Sequence, residues 1–167
     1  MRVAILTISD AGARGEREDT SGAEVVAWAE RRGDAVAARA LVPDDAVRIA
    51  RQVAEWCDDD VAELVLTTGG TGLSPRDVTP EATRAVLERD APGIAERIRW
   101  TAASSFPRAA LSRGVAGVRA ATLVVNLPGS PGGVRDALAA LDPIVSHACD
   151  ILRERATDHS GAGRTTT

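Results

Sequence analysis

Short apolar runs alternate with longer segments of mixed polarity along the chain. The runs are rich in aliphatic residues, and polar or glycine-containing turns follow them. Runs of this length and composition predict strands buried inside a sheet. The strands are predicted at Arg2–Ile8, Ala35–Val42, 63–67, 115–119 and 122–126.

The segments between these runs show the helical repeat. In the clearest of them, six apolar residues from Ala46 to Cys57 recur at spacings that place them on one helix face. The carboxyl-terminal segment is predicted to form two successive helices, with apolar faces that begin at Val134 and Ile144. The remaining helices are predicted at 21–32, 79–89 and 92–104.

Strands that alternate with helices predict a single α/β domain of three layers, with a mostly parallel sheet and helices on both of its faces. At 167 residues with 44% hydrophobic content, the chain is of the usual size for one domain with a proper core. The domain is expected to cover residues 1–155. Residues 156–167 are rich in glycine, serine and threonine, and we predict that they form a disordered tail.

Composition argues against several classes of function. The formal net charge is -4, which does not favour general affinity for nucleic acid or for an anionic membrane. No apolar run has the length of a membrane span, and the apolar start of the chain is too short for a signal peptide. Cys57 and Cys149 lack the spacing of a metal site and are expected to be reduced thiols on buried helix faces. The sequence therefore predicts a cytoplasmic protein.

A glycine-dense loop follows the third predicted strand. It reads TTGGTGLSPRDVTPEA from Thr67 to Ala82, and its glycines are able to adopt positive φ, so that backbone N–H groups can approach a phosphate. Thr79 followed by Pro80 predicts an N-cap and the start of a helix. The chain contains no lysine, which excludes a Walker A loop. In a purely structural alternative, the glycines only shape a tight turn while Arg76 and Asp77 form a local ion pair.

Two further polar loops are predicted at the same edge of the sheet. Ser9 to Gly12 follow the first strand, and a second glycine-rich turn, 127–133, follows the fifth. The carboxyl ends of parallel strands meet at one edge, and open α/β sheets bind their ligands there. Two glycine-dense loops at this edge favour a site for a phosphate-bearing ligand over the structural alternative.

These motifs resemble those of the MogA/MoaB-type molybdenum cofactor biosynthesis family, which includes the G domain of gephyrin. The strings TTGGTGLSPRDVTPEAT (Thr67 to Thr83) and LVVNLPGSPGG (Leu123 to Gly133) look like the two signature loops of that family. The segments ILTISD, DTSG, LVPDD, APG and LSRGVAGVR are similar in order and spacing. The resemblance covers nearly the whole chain except the tail, and it implies a MogA/MoaB-like fold.

Family members with this Arg-Asp-Val-Thr version of the loop adenylylate molybdopterin. The resemblance therefore implies a molybdopterin adenylyltransferase, which transfers AMP from ATP to the terminal phosphate of molybdopterin and releases pyrophosphate. It also implies a homotrimer and a hand-over of the product to a molybdate insertase. Two alternatives stay open. One is a non-catalytic scaffold module that holds molybdopterin, and the other is a nucleotide hydrolase of the competence-damage type, which carries a related glycine-threonine loop.

By the same resemblance, Asp77 and Asp44 are the catalytic carboxylates, and both would hold Mg²⁺ or another divalent cation through hard oxygen ligands. An alternative is open for Asp44, because either Asp44 or Asp45 is placed to cap the following helix. The other predicted site residues bind ATP or molybdopterin, with neither substrate assigned to a particular loop. These residues are Ser9, Asp10, Thr68, Gly69, Gly70, Thr71, Gly72, Ser74, Arg76, Pro128, Gly129 and Ser130.

Such a reaction requires no strong general base, because the attacking phosphate oxygen is already ionised at neutral pH. His147 and His159 lie outside the candidate loops and are interpreted as non-catalytic. Charge neutralisation is needed instead, from a divalent ion, guanidinium groups and loop N–H donors. The three tryptophans fall in predicted helices and are interpreted as packing residues: Trp28, Trp56 and Trp100.

Overall fold

Six strands form one central sheet in the computed structural model, which describes residues 1–155. The strands are β1 (Arg2–Ile8), β2 (Ala35–Val42), β3 (Leu64–Thr68), β4 (Arg89–Asp90), β5 (Ala116–Arg119) and β6 (Thr122–Leu127). Their order in the sheet is β2-β1-β3-β6-β5-β4. The first four strands in this order are parallel, whereas β5 is antiparallel to both of its neighbours. The predicted, mostly parallel sheet is confirmed.

Helices connect the strands and cover both faces of the sheet. They are α1 (Asp10–Ala13), α2 (Thr20–Arg31), α3 (Ala46–Asp58), α4 (Thr79–Arg84), α5 (Pro92–Ala103) and α6 (Pro131–Leu152), with a 3-10 segment at Pro107–Leu111. One core lies between the sheet and α2, α5 and α6, and a second lies between the sheet and α3 and α4. β3 carries only buried residues, because it lies in the middle of the sheet between these two cores. The single three-layer α/β domain is therefore confirmed.

Two predicted helix boundaries are wrong. α4 ends at Arg84 rather than near Arg89, because the N–H of Glu88 donates to the Val118 carbonyl at 2.9 Å and the next two residues pair with β5. The last two predicted helices are one continuous helix, α6, which includes Pro143. The buried residues of α6 form a single stripe from Val134 to Cys149, so no break is needed between the two predicted helices.

The order of the first three strands creates a crevice at the carboxyl edge of the sheet. The chain passes from β1 outward to β2 and then returns to the other side of β1 as β3. The connections after β1 and β3 therefore leave on opposite faces of the sheet, and the space between them is the usual ligand position in open α/β folds. Residues 9–12 and 69–78 lie at this edge.

Candidate active site

A cavity of about 550 Å³ opens at the carboxyl ends of β1, β3 and β6. The first turns of α2 and α6 also face it, through Thr20 and Ser21 on α2 and Pro131 on α6. Because helix N-termini carry a partial positive charge, two of them at one cavity favour an anionic ligand. Within this cavity lie Ser9, Asp44, Gly69, Gly70, Asp77, Gly129 and Ser130 from the predicted site.

The first two glycines of the loop bring it close to β1. Gly69 has φ +101°, and a Cβ added there would lie 2.2 Å from the Ile8 carbonyl oxygen. Gly70 has φ +62°, and its added Cβ would lie 2.4 Å from the Thr79 hydroxyl. Both the backbone conformation and the lack of space require glycine at these positions. Their backbone groups therefore form part of the cavity wall, as a phosphate cradle requires.

Thr79 contributes to this packing in a way that the sequence does not predict. The sequence predicts it as the N-cap of α4, but it is the first residue of the helix, and the N-cap position belongs to Val78. The buried Thr79 hydroxyl instead donates to the Gly69 carbonyl at 2.9 Å. It thus fixes the glycine turn.

The two predicted glycine loops contact each other. The Thr68 hydroxyl donates to the Pro128 carbonyl at 2.6 Å. A Cβ added at Gly129 would lie 3.1 Å from the Gly69 Cα, so the two backbones pack closely. The loops after β3 and β6 therefore form one continuous wall.

Asp10 and Asp44 bind each other's backbone across the site. The Asp10 N–H donates to Asp44 Oδ2 at 2.9 Å, and the Asp44 N–H donates to Asp10 Oδ1 at 3.0 Å. Arg76 donates to Asp10 Oδ2 from Nε at 3.1 Å and from Nη2 at 2.7 Å. The Arg76 guanidinium and then the Asp44 N–H lower the pKa of Asp10. The local Arg76–Asp77 ion pair of the structural alternative is not formed, because Arg76 binds Asp10.

Asp44 and Asp45, the two candidates for the cap of α3, have different roles. Asp45 is the N-cap of α3, where its carboxylate accepts the Arg48 N–H at 2.9 Å. Asp44 faces the cavity. Burial raises the pKa of Asp44, and the nearby carboxylates of Asp10 and Asp77 raise it further against the lowering effect of the Asp10 N–H. The cavity therefore holds a carboxylate that a cation would stabilise.

Asp77 lies on the same cavity and closes a tight turn. Its Oδ2 accepts the Ser74 N–H at 2.9 Å, and the Asp77 N–H donates to the Ser74 carbonyl at 2.9 Å. A Cβ added at Gly72 would lie 2.8 Å from Asp77 Oδ2, so glycine leaves room for the carboxylate. The Ser74 hydroxyl is engaged locally, where it accepts the Arg76 N–H at 3.2 Å. Asp77 thus has both a structural contact and a face on the cavity.

A second cavity of about 480 Å³ lies on the other side of the Pro128–Pro131 turn. It is mostly apolar, and its walls come from α5, the 3-10 segment and the start of α6. Ser130 lines both cavities. The apolar wall consists of Ile98, Ala102, Phe106, Ala109, Leu111 and Pro128. The site therefore has two adjacent compartments of different polarity.

Comparison with known proteins identifies the family of this chain. Residues 4–147 match a family model described as "Probable molybdopterin binding domain". The chain belongs to this molybdopterin-binding domain family. The MogA/MoaB-type resemblance of its loops is thereby confirmed.

Individual relatives align over most of this molybdopterin-binding domain. A molybdopterin adenylyltransferase from Helicobacter pylori (strain J99) is 35% identical over 154 residues, which cover 91% of this chain and 88% of that protein. The crystal structure of the molybdopterin biosynthesis enzyme MoaB from Thermus thermophilus superposes with a TM-score of 0.87 at 49% identity, covering 92% of this chain and 97% of that one. The molybdenum cofactor synthesis protein cinnamon of Drosophila melanogaster is 36% identical over 155 residues, but the match spans only 25% of its length.

Several predicted residues of this molybdopterin-binding domain do not reach the first cavity. Gly72 and Pro128 line the second cavity instead. The other five support the walls or lie beside them: Asp10, Thr68, Thr71, Ser74 and Arg76.

Asp19, Thr20 and Ser21 of the DTSG segment line the first cavity, which is not among their predicted roles. Asp19 caps α2 through the Gly22 N–H at 2.7 Å and accepts the Thr7 hydroxyl at 2.8 Å and Arg39 at 2.8 Å. Burial works to raise the pKa of Asp19, but Arg39 and these donors hold it below its usual value. The available signal was an N-cap aspartate followed by Thr-Ser-Gly, directly before a helix with an apolar face.

Burial agrees with the prediction for both cysteines and for two of the three tryptophans. Cys57 and Cys149 are buried free thiols, and burial raises their pKa values to about 11 and about 12. Trp28 and Trp56 are buried, whereas Trp100 is 74% exposed, so the packing prediction is wrong for Trp100. His147 lies on an exposed face of α6, and His159 lies outside the described residues.

Two features are absent from residues 1–155. No helix there has the length and apolarity to cross a membrane. No group of three or more His, Cys, Asp and Glu side chains is placed to hold a metal ion by itself in this range. The predicted tail, 156–167, falls outside it.

Proposed function

We propose that this protein is a molybdopterin adenylyltransferase, which transfers AMP from ATP to the terminal phosphate of molybdopterin and releases pyrophosphate. The observation that carries the proposal is the pair of adjacent cavities, one polar and bordered by a glycine turn and two helix N-termini, the other apolar. The adenylyltransferase name of the Helicobacter pylori relative, which aligns over nearly its whole length, supports the same activity.

The chemistry matches the residues around the first cavity. An ionised phosphate oxygen of molybdopterin attacks the α-phosphorus of ATP, the new P–O bond forms, and the bond from the α-phosphorus to the bridging oxygen breaks as pyrophosphate leaves. No side chain has to remove a proton, and no histidine among residues 1–155 lines either cavity. Backbone N–H groups near Gly69 and Gly70 and the N-termini of α2 and α6 stabilise the negative charge that accumulates on the phosphates.

The two cavities divide the substrates. ATP lies in the first, where the glycine turn and the helix N-termini meet its phosphates. The pterin lies in the second, because its flat ring system suits the apolar wall formed by Phe106 and its neighbours. The Pro128–Pro131 turn separates the two, so the reacting phosphates meet at Ser130, which borders both spaces.

Asp44 and Asp77 fit a divalent cation such as Mg²⁺. Both carboxylates line the first cavity, and the charge of Asp77 contributes to the raised pKa of Asp44, as expected for two acids that share a site. Two carboxylates are a usual protein contribution for Mg²⁺, with water and phosphate oxygens as the other ligands. The ion would neutralise phosphate charge. The chain's own part is to hold the two carboxylates in place through Asp10 and the Ser74–Asp77 turn.

The decisive experiment incubates purified protein with ATP, Mg²⁺ and molybdopterin and measures adenylylated pterin and pyrophosphate. We expect both products in equal amounts, and neither of them when α,β-methylene-ATP replaces ATP, because its α–β bridge cannot be cleaved. Molybdopterin that binds without forming product would refute the enzyme and leave the scaffold function. Pyrophosphate release that does not require molybdopterin would indicate a nucleotide hydrolase.

The oligomeric state, the cellular location and the next protein in the pathway belong to the same proposal. A homotrimer that acts in the cytoplasm and hands its product to a molybdate insertase agrees with the family resemblance. The exposed side chain of Trp100 on α5, which lines neither cavity, offers an apolar contact between subunits. Light scattering after size exclusion measures the subunit number, and a monomer would refute the trimer.

A further inference from the structure

Arg113 binds the loop that carries Asp77 from behind. Its Nε donates to the Gly72 carbonyl at 2.7 Å, and its Nη2 donates to the Asp77 carbonyl at 2.5 Å. Its Nη1 pairs with the Glu81 carboxylate on α4. The backbone N–H of Arg113 donates to the Thr71 carbonyl at 2.8 Å. One residue thus holds four points of the segment between Thr71 and Glu81.

These contacts bracket the turn on which the Asp77 carboxylate depends. Gly72 lies just before the Ser74–Asp77 turn, and Asp77 is its last residue. The planar guanidinium has a fixed separation between its donors, so it sets the distance between the two carbonyls that it binds. A lysine carries one ammonium group and does not impose this spacing. The position of the turn therefore depends on Arg113 specifically as an arginine.

Arg113 also connects the two cavities. Ser112, the preceding residue, lines the second cavity, and Gly72 does so as well. The backbone around Arg113 is held in turn by Arg99, whose Nη1 donates to the Gly114 carbonyl at 2.7 Å. The chain that borders the apolar cavity is thus joined directly to the turn that presents a carboxylate to the polar one.

We propose that Arg113 is a positioning residue, which sets the Asp77 carboxylate relative to Asp44 and so prepares the phosphate and cation site for catalysis. Its expected effect on turnover rests on the proposed adenylyltransferase function. Its expected effect on the cation site does not, and this separates the two in experiment.

Arg119 provides a matched control. It makes the same kind of three-donor contact, to both Asp58 carboxylate oxygens at 2.8 and 2.6 Å and to the Val86 carbonyl at 2.9 Å. It lines neither cavity. Arg113→Met and Arg119→Met therefore remove similar contacts, and only the first lies next to the site.

The first measurement compares steady-state kinetics of the two variants. We expect Arg113→Met to lower kcat by about 100-fold, the size of effect that misplacement of a catalytic group produces, with little change in the KM for ATP. Arg113→Lys should recover part of this loss, because it keeps the charge and one carbonyl contact. Arg119→Met should keep kcat within about twofold of the wild type, even if its melting temperature falls as far as that of Arg113→Met. Equal losses of kcat in the two variants would overturn the proposal.

The second measurement is independent of turnover. Mn²⁺ binding in the presence of α,β-methylene-ATP is followed by electron paramagnetic resonance, and hydrogen exchange is measured for the amides of residues 71–78. We expect Arg113→Met to weaken Mn²⁺ binding by about 10-fold and to speed exchange in this segment, whereas Arg119→Met changes neither. Wild-type Mn²⁺ affinity in Arg113→Met would overturn the proposal. If the wild type itself transfers no AMP, the proposed function fails, while these binding data still decide the role of Arg113.

Discussion

The two cavities share one turn and yet differ in the origin of their side chains. The polar cavity is lined by the loops after β1, β3 and β6 and by the first turns of α2 and α6. The apolar cavity takes most of its wall from α5 and the 3-10 segment, which lie beside the sheet edge rather than on it. Charge stabilisation thus comes from the regular part of the fold, where strand ends and helix N-termini converge. In the proposed arrangement, the contact with the flat pterin comes from its irregular part.

The largest effect is expected when a negative charge is removed from the polar cavity. Asp77→Asn should slow AMP transfer by at least about 100-fold, because it removes a carboxylate from the polar cavity where phosphate charge must be neutralised. The fold and molybdopterin binding should persist, since an asparagine oxygen can still accept the Ser74 N–H and Asp77 does not line the apolar cavity. Single-turnover kinetics and a separate pterin-binding titration measure the two properties.

Asp45→Asn is the matched control for this change. It removes the same charge from an exposed residue near the site, and asparagine is an equally good N-cap. Its rate of AMP transfer should stay within about twofold of the wild type. Unchanged turnover in Asp77→Asn would remove Asp77 from the mechanism, and loss of pterin binding would show that the cavities are not independent.

A smaller effect is expected from the apolar cavity. Ala102 lies on α5 in its wall, and Ala102→Leu should fill part of the volume intended for the pterin. The KM for molybdopterin should rise about 10-fold, while the KM for ATP stays unchanged. Ala110→Leu, at an exposed alanine of the 3-10 segment that lines neither cavity, is the control. A rise in the KM for ATP instead would reverse the assignment of substrates to cavities.

The same contrast explains how much the sequence could predict. β1, β3 and β6 were predicted with ends within two residues of those observed, and the glycine loops that follow them were found, because buried strands and turns leave local patterns of apolar and glycine residues. The apolar cavity was not predicted. Its walls combine side chains from α5 with a segment around Phe106 that has no hydrophobic period, so only the folded chain brings them together.

The roles of individual residues follow the same division. The capping role of Asp45 could be predicted from the sequence, because an N-cap depends on neighbours along the chain. The end of α4 could not be predicted, because it is set by the pairing of β4 with β5, and these strands are far apart in the sequence. The role of Arg113 was not predicted for the same reason, since its partners Gly72 and Asp77 lie 41 and 36 residues away in the sequence. The segment LSRGVAGVR contains Arg113 and resembles the family, but this resemblance does not show which carbonyls the side chain binds.

The smallest expected effect concerns stability, and it tests whether the polar cavity is strained when empty. Burial, Asp10 and Asp77 raise the pKa of Asp44 above its unfolded value, so ionisation of Asp44 in the folded protein costs free energy. The protonated form gives its full stability below the unfolded pKa of about 4, and this stability is lost as the pH rises through the raised pKa. At neutral pH the wild type therefore bears the whole cost.

Asp44→Asn removes this cost and keeps an oxygen that can accept the Asp10 N–H. Its melting temperature at pH 7 should exceed that of the wild type by about 2 °C, although its AMP transfer is lost, and the advantage should shrink toward zero near pH 3.5. Asp45→Asn, whose residue is exposed, should shift the melting temperature by less than about 1 °C at either pH. Calorimetry at both pH values measures these shifts. A lower melting temperature for Asp44→Asn at pH 7 would mean that its carboxylate stabilises the fold, and that the polar cavity does not need a cation to offset its charge.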